Sequence, residues 1–251
     1  MTGPKLSFRE ELQEVQELFR DDIGSELARY KDLVHLVTDE LDDNACPGII
    51  LAVSKACGYQ GKKAMTLAII IQYIYLADKV HNLLRDDDDP AAELRQFPVL
   101  VGDFLFGKFF WGLSRAGLLD YLAPLAGVIV TLSKGAVNRW LTREQNLEIE
   151  EQLRILENGT ASLTGLAARI GAELAGVPRS IQEKCETFGR LMGLAWAARN
   201  EQITKPVVEE ILAQASALIK EISENLPGEH LLEVYDYMQT YLYPEAVSGQ
   251  V

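Results

Sequence analysis

The chain of 251 residues is short of positive charge, of cysteine and of long apolar runs. Its 24 Lys and Arg stand against 37 Asp and Glu, and the formal net charge of −13 argues against a nucleic-acid partner, since phosphates need a basic patch. The 3 cysteines have no C-x-x-C or zinc-type spacing and are expected to be buried as small apolar residues. The most apolar run, residues 66–77, is shorter than the ~18 residues of a membrane span. With no apolar signal core near the N-terminus, we expect a cytoplasmic protein without a transmembrane segment.

What the sequence does contain is helical periodicity along almost its whole length. Apolar residues make up 48% of the chain and recur at three- and four-residue steps, as in residues 8–19 and 27–37. A polar break is predicted at residues 42–47, with Pro47 in the first turn of the helix that follows. No segment alternates long enough to predict a strand. We therefore predict one all-α domain of roughly ten to twelve helices over residues 1–243, with a flexible tail at 244–251.

Four segments occur in an order that is typical of one enzyme family. Residues 71–78 read I-Q-Y-I-Y-L-A-D and residues 99–106 read V-L-V-G-D-F-L-F. Residues 159–163 read G-T-A-S-L and residues 188–196 read F-G-R-L-M-G-L-A-W. Together they resemble the trans-isoprenyl diphosphate synthases, the polyprenyl synthetase family, over nearly the whole chain. The resemblance implies a single-domain isoprenoid-synthase-type helical bundle.

Members of that family hold Mg²⁺ around a substrate diphosphate with two D-D-x-x-D motifs on facing helices, because Mg²⁺ prefers carboxylate oxygens. Here both motifs are degenerate. The aligned positions that keep some ligand character are Asp78, His81 and Asn82 in the first motif, and Asn200 and Glu201 in the second. Lys79 places a cation where the family has an acid. Two carboxylates are too few for a Mg²⁺ cluster, so the resemblance implies no assignable catalytic residue and no metal held by the lone chain.

The positively charged diphosphate ligands of the family are also missing. Its G-K-R-x-R-P segment corresponds to residues 42–47, D-D-N-A-C-P, and the lysine of its K-T-A segment corresponds to Gly159. An acidic run at 86–89 is interrupted by Pro90 and has no D-D-x-x-D spacing. We interpret this run as a solvated loop, with Asp78, Asp86 and Asp87 as the weaker alternative of a divalent-cation site.

Two sets of bulky apolar residues are candidates for ligand or partner contacts. Tyr73 precedes Asp78 by five residues, where a bulky side chain limits product length in the family, so Tyr73 and Ile74 are candidates for a prenyl cavity. Five aromatic residues crowd one helix, more than a single buried stripe holds, which indicates a subunit interface, as the resemblance also implies. They are Phe104, Phe106, Phe109, Phe110 and Trp111.

Three hypotheses for function follow. The first is a non-catalytic small or regulatory subunit of a heteromeric polyprenyl diphosphate synthase, inactive alone, whose catalytic partner holds the Mg²⁺ and whose cavity takes an isoprenoid. Without that partner a homodimer is expected. The second is a stand-alone, divergent Mg²⁺-dependent prenyltransferase or terpenoid synthase. The third is an isoprenoid-binding helical protein without catalysis.

Overall fold

The computed structural model describes residues 6–24, 38–82, 92–143 and 145–242, with side chains from residue 98 onward in the third range. Within these ranges the chain forms ten α-helices, one short 3-10 helix and no strand, which confirms the all-α prediction. The α-helices are α1 (Arg9–Gly24), α2 (Glu40–Ala56), α3 (Lys63–His81), α4 (Ala92–Ala116), α5 (Leu122–Thr142), α6 (Ile149–Glu157), α7 (Thr160–Leu174), α8 (Arg179–Asn200), α9 (Lys205–Ser223) and α10 (Glu229–Leu242); the 3-10 helix Leu119–Tyr121 precedes α5.

Helix α2 begins earlier than the polar residues at its start suggest. The break predicted at residues 42–47 is wrong, because α2 starts at Glu40 and continues through Pro47. A reciprocal capping box starts it: the Asp42 backbone N–H donates to the Asp39 carboxylate at 2.9 Å, and the Asp39 N–H donates to the Asp42 carboxylate at 2.8 Å. Acidic residues are favoured in the first turn of a helix, near its positive end, so they marked a helix start rather than a loop.

Helix α3 is the centre of the fold. It is apolar almost all round, and most of its side chains between Ala64 and Val80 are buried, as its sequence predicts. It contacts α1, α2, α4, α5 and α7. Its C-terminal end therefore projects Asp78 and its neighbours from a rigid, buried element.

Helices α7 and α8 form the most extensive helix pair and pack closely because small residues line their contact. A Cβ atom at position 193 would lie 1.9 Å from the Thr164 hydroxyl oxygen, and one at position 189 would lie 2.4 Å from the Thr164 carbonyl oxygen. Only glycine fits at either position. The glycines of α8 therefore allow its close contact with α7, which holds the end of α8 opposite the end of α3.

Several sequence predictions fall on residues outside the described ranges. They are the helix over 27–37, the acidic run at 86–89 with Asp86 and Asp87, and the tail at 244–251. The cysteines are described: Cys46 and Cys185 are buried, Cys57 is half-buried, and none forms a disulfide. Within the same part of the chain, no helix combines the length and the hydropathy that crossing a membrane requires.

Candidate functional site

The two degenerate aspartate-rich motifs lie at one cavity of about 540 Å³ between the C-terminal ends of α3 and α8. Asp78, His81 and Asn82 line it from α3, and Asn200 and Glu201 line it from the end of α8. The structure thus brings together the residues that the sequence assigns to both motifs. Helix α5, Leu156 of α6 and the start of α7 supply most of the remaining walls.

Asp78 is half-buried in this cavity and accepts a hydrogen bond from the Asn82 amide at 3.0 Å. Burial raises the pKa of the Asp78 carboxyl above its usual range, and the charges of Arg139 and His81 and the Asn82 hydrogen bond offset only part of that rise. Metals bind the ionised form of a carboxyl, and burial of Asp78 disfavours that form.

Lys79 is paired with Asp42, the first residue of the segment that the family fills with cations. The Asp42 carboxylate is buried and accepts hydrogen bonds from the Lys79 ammonium group and the Tyr75 hydroxyl. The Gln72 side chain adds a hydrogen bond to the Asp42 carbonyl oxygen at 3.0 Å. The acid in the cation segment and the cation in the acidic motif therefore neutralise each other. This exchange links α2 and α3 through an ion pair of the chain's own.

His81 packs against α4. Its Nε2 lies 3.3 Å from the Val99 carbonyl oxygen and 3.5 Å from an Asp103 carboxylate oxygen, and its ring centroid is 5.6 Å from that of Phe106. A Cβ atom at position 102 would lie 2.1 Å from Nε2, so Gly102 gives this ring its space. In this chain, Gly102 and Asp103 of the V-L-V-G-D segment therefore hold the His81 ring in position.

The second motif is exposed. Asn200 ends α8, where its side-chain oxygen accepts a hydrogen bond from Arg199 at 3.2 Å, and Glu201 follows as the C-cap. The next residue, Gln202, has a φ of 58°, a left-handed conformation that glycine usually adopts after a helix. The backbone N–H of Ile203 closes this turn on the Ala198 carbonyl oxygen at 2.8 Å. The helix therefore ends at the motif, and Glu201 lies on the rim of the cavity.

Sequence reasoning missed the cations that α5 brings to the same cavity. Arg139 is half-buried and Arg143 is exposed, and both line the cavity beside Trp140. The Arg143 guanidinium lies 4.4 Å from the centroid of the Trp140 ring. Their spacing, four residues apart near the end of a helix, places them on one face and was the available signal.

The donors of the cavity do not fit the Mg²⁺ cluster that the family implies. Its lining has two carboxylates, Asp78 and Glu201, against the cations Lys79, Arg139 and Arg143. Across the described ranges, no group of three or more His, Cys, Asp or Glu side chains is arranged to hold a metal ion. We therefore derive no chemistry through a metal on this chain.

The two residues predicted for a prenyl cavity are buried on α3, away from the motifs. The Tyr73 hydroxyl donates to Asp22, and its ring centroid lies 5.1 Å from that of Phe19. Tyr73 also borders a separate hollow of about 290 Å³, together with Trp111 of α4. Ile74 is fully buried in the core.

The aromatic residues of α4 divide between core and surface. Phe109 is buried, and Phe104 and Phe106 are partly buried against the core. Phe110 is 52% exposed and Trp111 is 49% exposed. Large apolar side chains are exposed on α5 as well: Val130, Val137, Trp140 and Leu141. Of the five predicted interface residues, Phe110 and Trp111 are the ones available to a partner.

The fold matches that of solved prenyl synthases. A polyprenyl synthase of Caulobacter crescentus CB15, solved with calcium and isoprenyl diphosphate, superposes with a TM-score of 0.73 at 20% identity, covering 94% of this chain and 99% of that chain. The geranyl diphosphate synthase small subunit of Antirrhinum majus superposes with a TM-score of 0.71 at 15% identity, covering 93% of this chain and 98% of that one. This chain therefore has the isoprenoid-synthase fold.

Sequence comparison gives the family. The polyprenyl synthetase model matches residues 45–201, well over half of the chain. The octaprenyl diphosphate synthase of Escherichia coli strain K12 is 24% identical over 221 residues, an alignment that takes in 74% of this chain and 68% of that protein. The chain belongs to the polyprenyl synthetase family, as its four ordered segments predicted.

Proposed function

We propose that this chain is a non-catalytic subunit of a heteromeric prenyl diphosphate synthase. The observation that carries the proposal is the ion pair between Lys79 and Asp42. It puts a lysine at a position where a catalytic member has a metal ligand, and it ties that lysine to an acid in the segment where a catalytic member carries its diphosphate-binding cations. A chain in which an internal ion pair ties these two segments together keeps the framework of the fold without the ligands for the reaction.

The two carboxyl groups that line the cavity support the same proposal. Asp78 has a raised pKa, and Glu201 is exposed on the rim. In the proposed complex the catalytic partner holds the Mg²⁺, and this chain contributes its surface and its prenyl cavity. The hollow beside Tyr73 is the proposed position of that cavity.

The proposed contact surface is the exposed apolar part of α4 and α5. Phe110 and Trp111 are both large aromatic residues with half of their surface in solvent. Exposed aromatic residues are over-represented at the centres of interfaces, where burial stabilises association most. The small subunit from Antirrhinum majus, which shares this fold, is by its description part of such a multi-subunit synthase.

The test is reconstitution with a polyprenyl synthase from the same genome that has two intact D-D-x-x-D motifs. We expect the mixture to form a complex of defined mass and to change the rate or the product chain length of the catalytic chain. The variant Trp111→Asp should weaken the complex at least tenfold, because it places a charge in a desolvated interface. Leu232→Asp is the matched control, since Leu232 is 46% exposed on α10, away from α4 and α5.

Three other outcomes would overturn the proposal. Mg²⁺-dependent turnover of an allylic diphosphate by the lone chain, abolished by Asp78→Ala, would identify a divergent stand-alone enzyme. Co-purification of an isoprenoid with a chain that binds no synthase would identify a carrier protein. A self-association that excludes the catalytic chain would likewise contradict a heteromer.

A further inference from the structure

Helix α5 carries an exposed stripe whose positions repeat every seven residues. The steps alternate between four and three residues, which is the spacing that keeps one face of a helix towards a partner helix. All six residues of the stripe are exposed, and its three aliphatic members beyond alanine are each more than half exposed. The α5 stripe consists of Ala123, Gly127, Val130, Lys134, Val137 and Leu141.

The other side of α5 already packs on the body of the chain. Its buried residues are Leu125, Leu132 and Gly135, and the helix contacts α3, α6 and α7. A Cβ atom at position 135 would lie 2.9 Å from the Asn158 carbonyl oxygen. One at position 127 would meet no atom of the described residues within 4 Å beyond its own helix. The inner face is therefore close-packed, and the α5 stripe faces open space.

Lys134 is the charged member of the α5 stripe. Helix α5 has no acidic residue, although the chain contains 37 Asp and Glu, so Lys134 has no counter-charge on its own helix. In the part of the chain that the structure describes, its ammonium group makes no hydrogen bond or ion pair. A partner that covers the stripe must supply a counter-charge, because an unpaired charge in an apolar interface is strongly destabilising.

The stripe of a second copy of this chain does not supply that charge. Antiparallel self-pairing that buries the whole stripe has its two-fold axis at the centre, near position 132, so each Lys134 lies about 3 Å from the centre along the helix axis. Parallel self-pairing sets the two lysines directly opposite each other. Both arrangements bring two ammonium groups together in an apolar seam, where one polar residue is enough to select the partner.

We propose that the α5 stripe pairs with a helix of the catalytic subunit that carries Asp or Glu opposite Lys134, and that this lysine disfavours the homodimer expected of a lone chain. The inference rests on the subunit proposal and adds the chemistry of the partner surface. The partner helix needs an apolar seam for Val130, Val137 and Leu141. The small side chains at positions 123 and 127 leave room for its backbone to approach closely.

The first measurement is sedimentation velocity of the full chain without a partner. Lys134→Leu should self-associate at least tenfold more tightly than wild type, because it removes the repulsion and completes the apolar stripe. Lys220→Leu is the matched control and should leave self-association unchanged. Lys220 is also exposed, but it lies on α9, which packs on α8 and α10 and away from α5.

The second measurement is binding to the polyprenyl synthase with two intact D-D-x-x-D motifs. We expect Lys134→Glu to weaken the complex at least tenfold and Lys220→Glu to leave it unchanged. Replacement of the facing acid of the partner helix by lysine should restore binding of the Lys134→Glu variant, because it re-forms the pair with its charges exchanged.

Three results would overturn the inference. One is equal self-association of wild type and Lys134→Leu. Another is a complex that Lys134→Glu leaves unchanged while the unfolding curve of the variant matches wild type. The third is binding of the lone chain to phosphatidylglycerol vesicles that Lys134→Glu abolishes, which would assign the stripe to a membrane surface. The subunit proposal stands in each case if the wild-type chains form their complex, and it fails separately if they do not.

Discussion

Replacement of Asp42 by alanine is the sharpest test of the exchanged charges. The Asp42 side chain is 4% exposed and that of Lys79 is 26% exposed, so the carboxylate is far more deeply buried than its partner. Asp42→Ala removes the acceptor for the Lys79 ammonium and the Tyr75 hydroxyl. It also removes half of the capping box with Asp39. The variant therefore leaves the partly buried Lys79 ammonium and the buried Tyr75 hydroxyl without their acceptor.

The expected loss of unfolding free energy is about 2–4 kcal/mol. Breaking a buried ion pair by removing one partner costs about 3–5 kcal/mol. The Lys79 side chain is 26% exposed, so solvent screening lowers the ion-pair contribution to about 1–2 kcal/mol. The lost Tyr75 hydrogen bond and the lost cap add about 0.5–1 kcal/mol each. For a chain of this size each kcal/mol corresponds to about 2–4 °C in the midpoint of thermal unfolding.

The measurement is urea unfolding followed by helical circular dichroism, for Asp42→Ala, Lys79→Met and the double variant. We expect the double variant to be more stable than the sum of the single losses predicts, with a coupling of about 1–3 kcal/mol. The control is Glu183→Ala, which breaks an exposed pair with Arg179 and should stay within about 0.5 kcal/mol of wild type. Strictly additive losses, or an Asp42→Ala loss no larger than the control, would refute the argument.

Three further predictions follow from other parts of the site and core. Folding raises the pKa of Asp78, so ionisation of this carboxyl opposes folding. The stability that protonated Asp78 contributes is therefore present at low pH and is lost as the pH rises through the folded-state pKa. The stability of Asp78→Asn relative to wild type should therefore increase from about pH 4 to about pH 7. The same difference in urea midpoint at both pH values would contradict this prediction. Gln202→Gly should raise the unfolding free energy by about 0.5–1 kcal/mol, since the residue has a φ of 58° at a helix end; an unchanged or lower midpoint would count against it. Gly193→Ala should destabilise by more than about 2 kcal/mol because its Cβ atom would lie 1.9 Å from the Thr164 hydroxyl oxygen, and a wild-type thermal midpoint would show that α7 and α8 can separate at no cost.

The sequence predicted the interior of a helix better than the position of a helix end. The all-round apolar sequence of α3 predicted a central helix, because the hydrophobic pattern of a helix is a local property of the sequence. The start of α2 was missed because an acidic capping box and a polar loop have the same composition. In α4, the aromatic count indicated a surface, but only packing decided that Phe109 is buried and Phe110 exposed.

By itself the sequence determined the helical class, the family and the loss of the acidic motifs, since periodicity and ordered motifs are carried by neighbours along the chain. It listed Lys79 and the acid at position 42 as two separate departures. Only the tertiary structure decided that they are one ion pair, because 37 residues separate them and the contact needs α2 and α3 side by side. The same holds for Gly159 and Arg139: a missing side chain on one element makes space for a guanidinium from another, and only the packed fold places the two together.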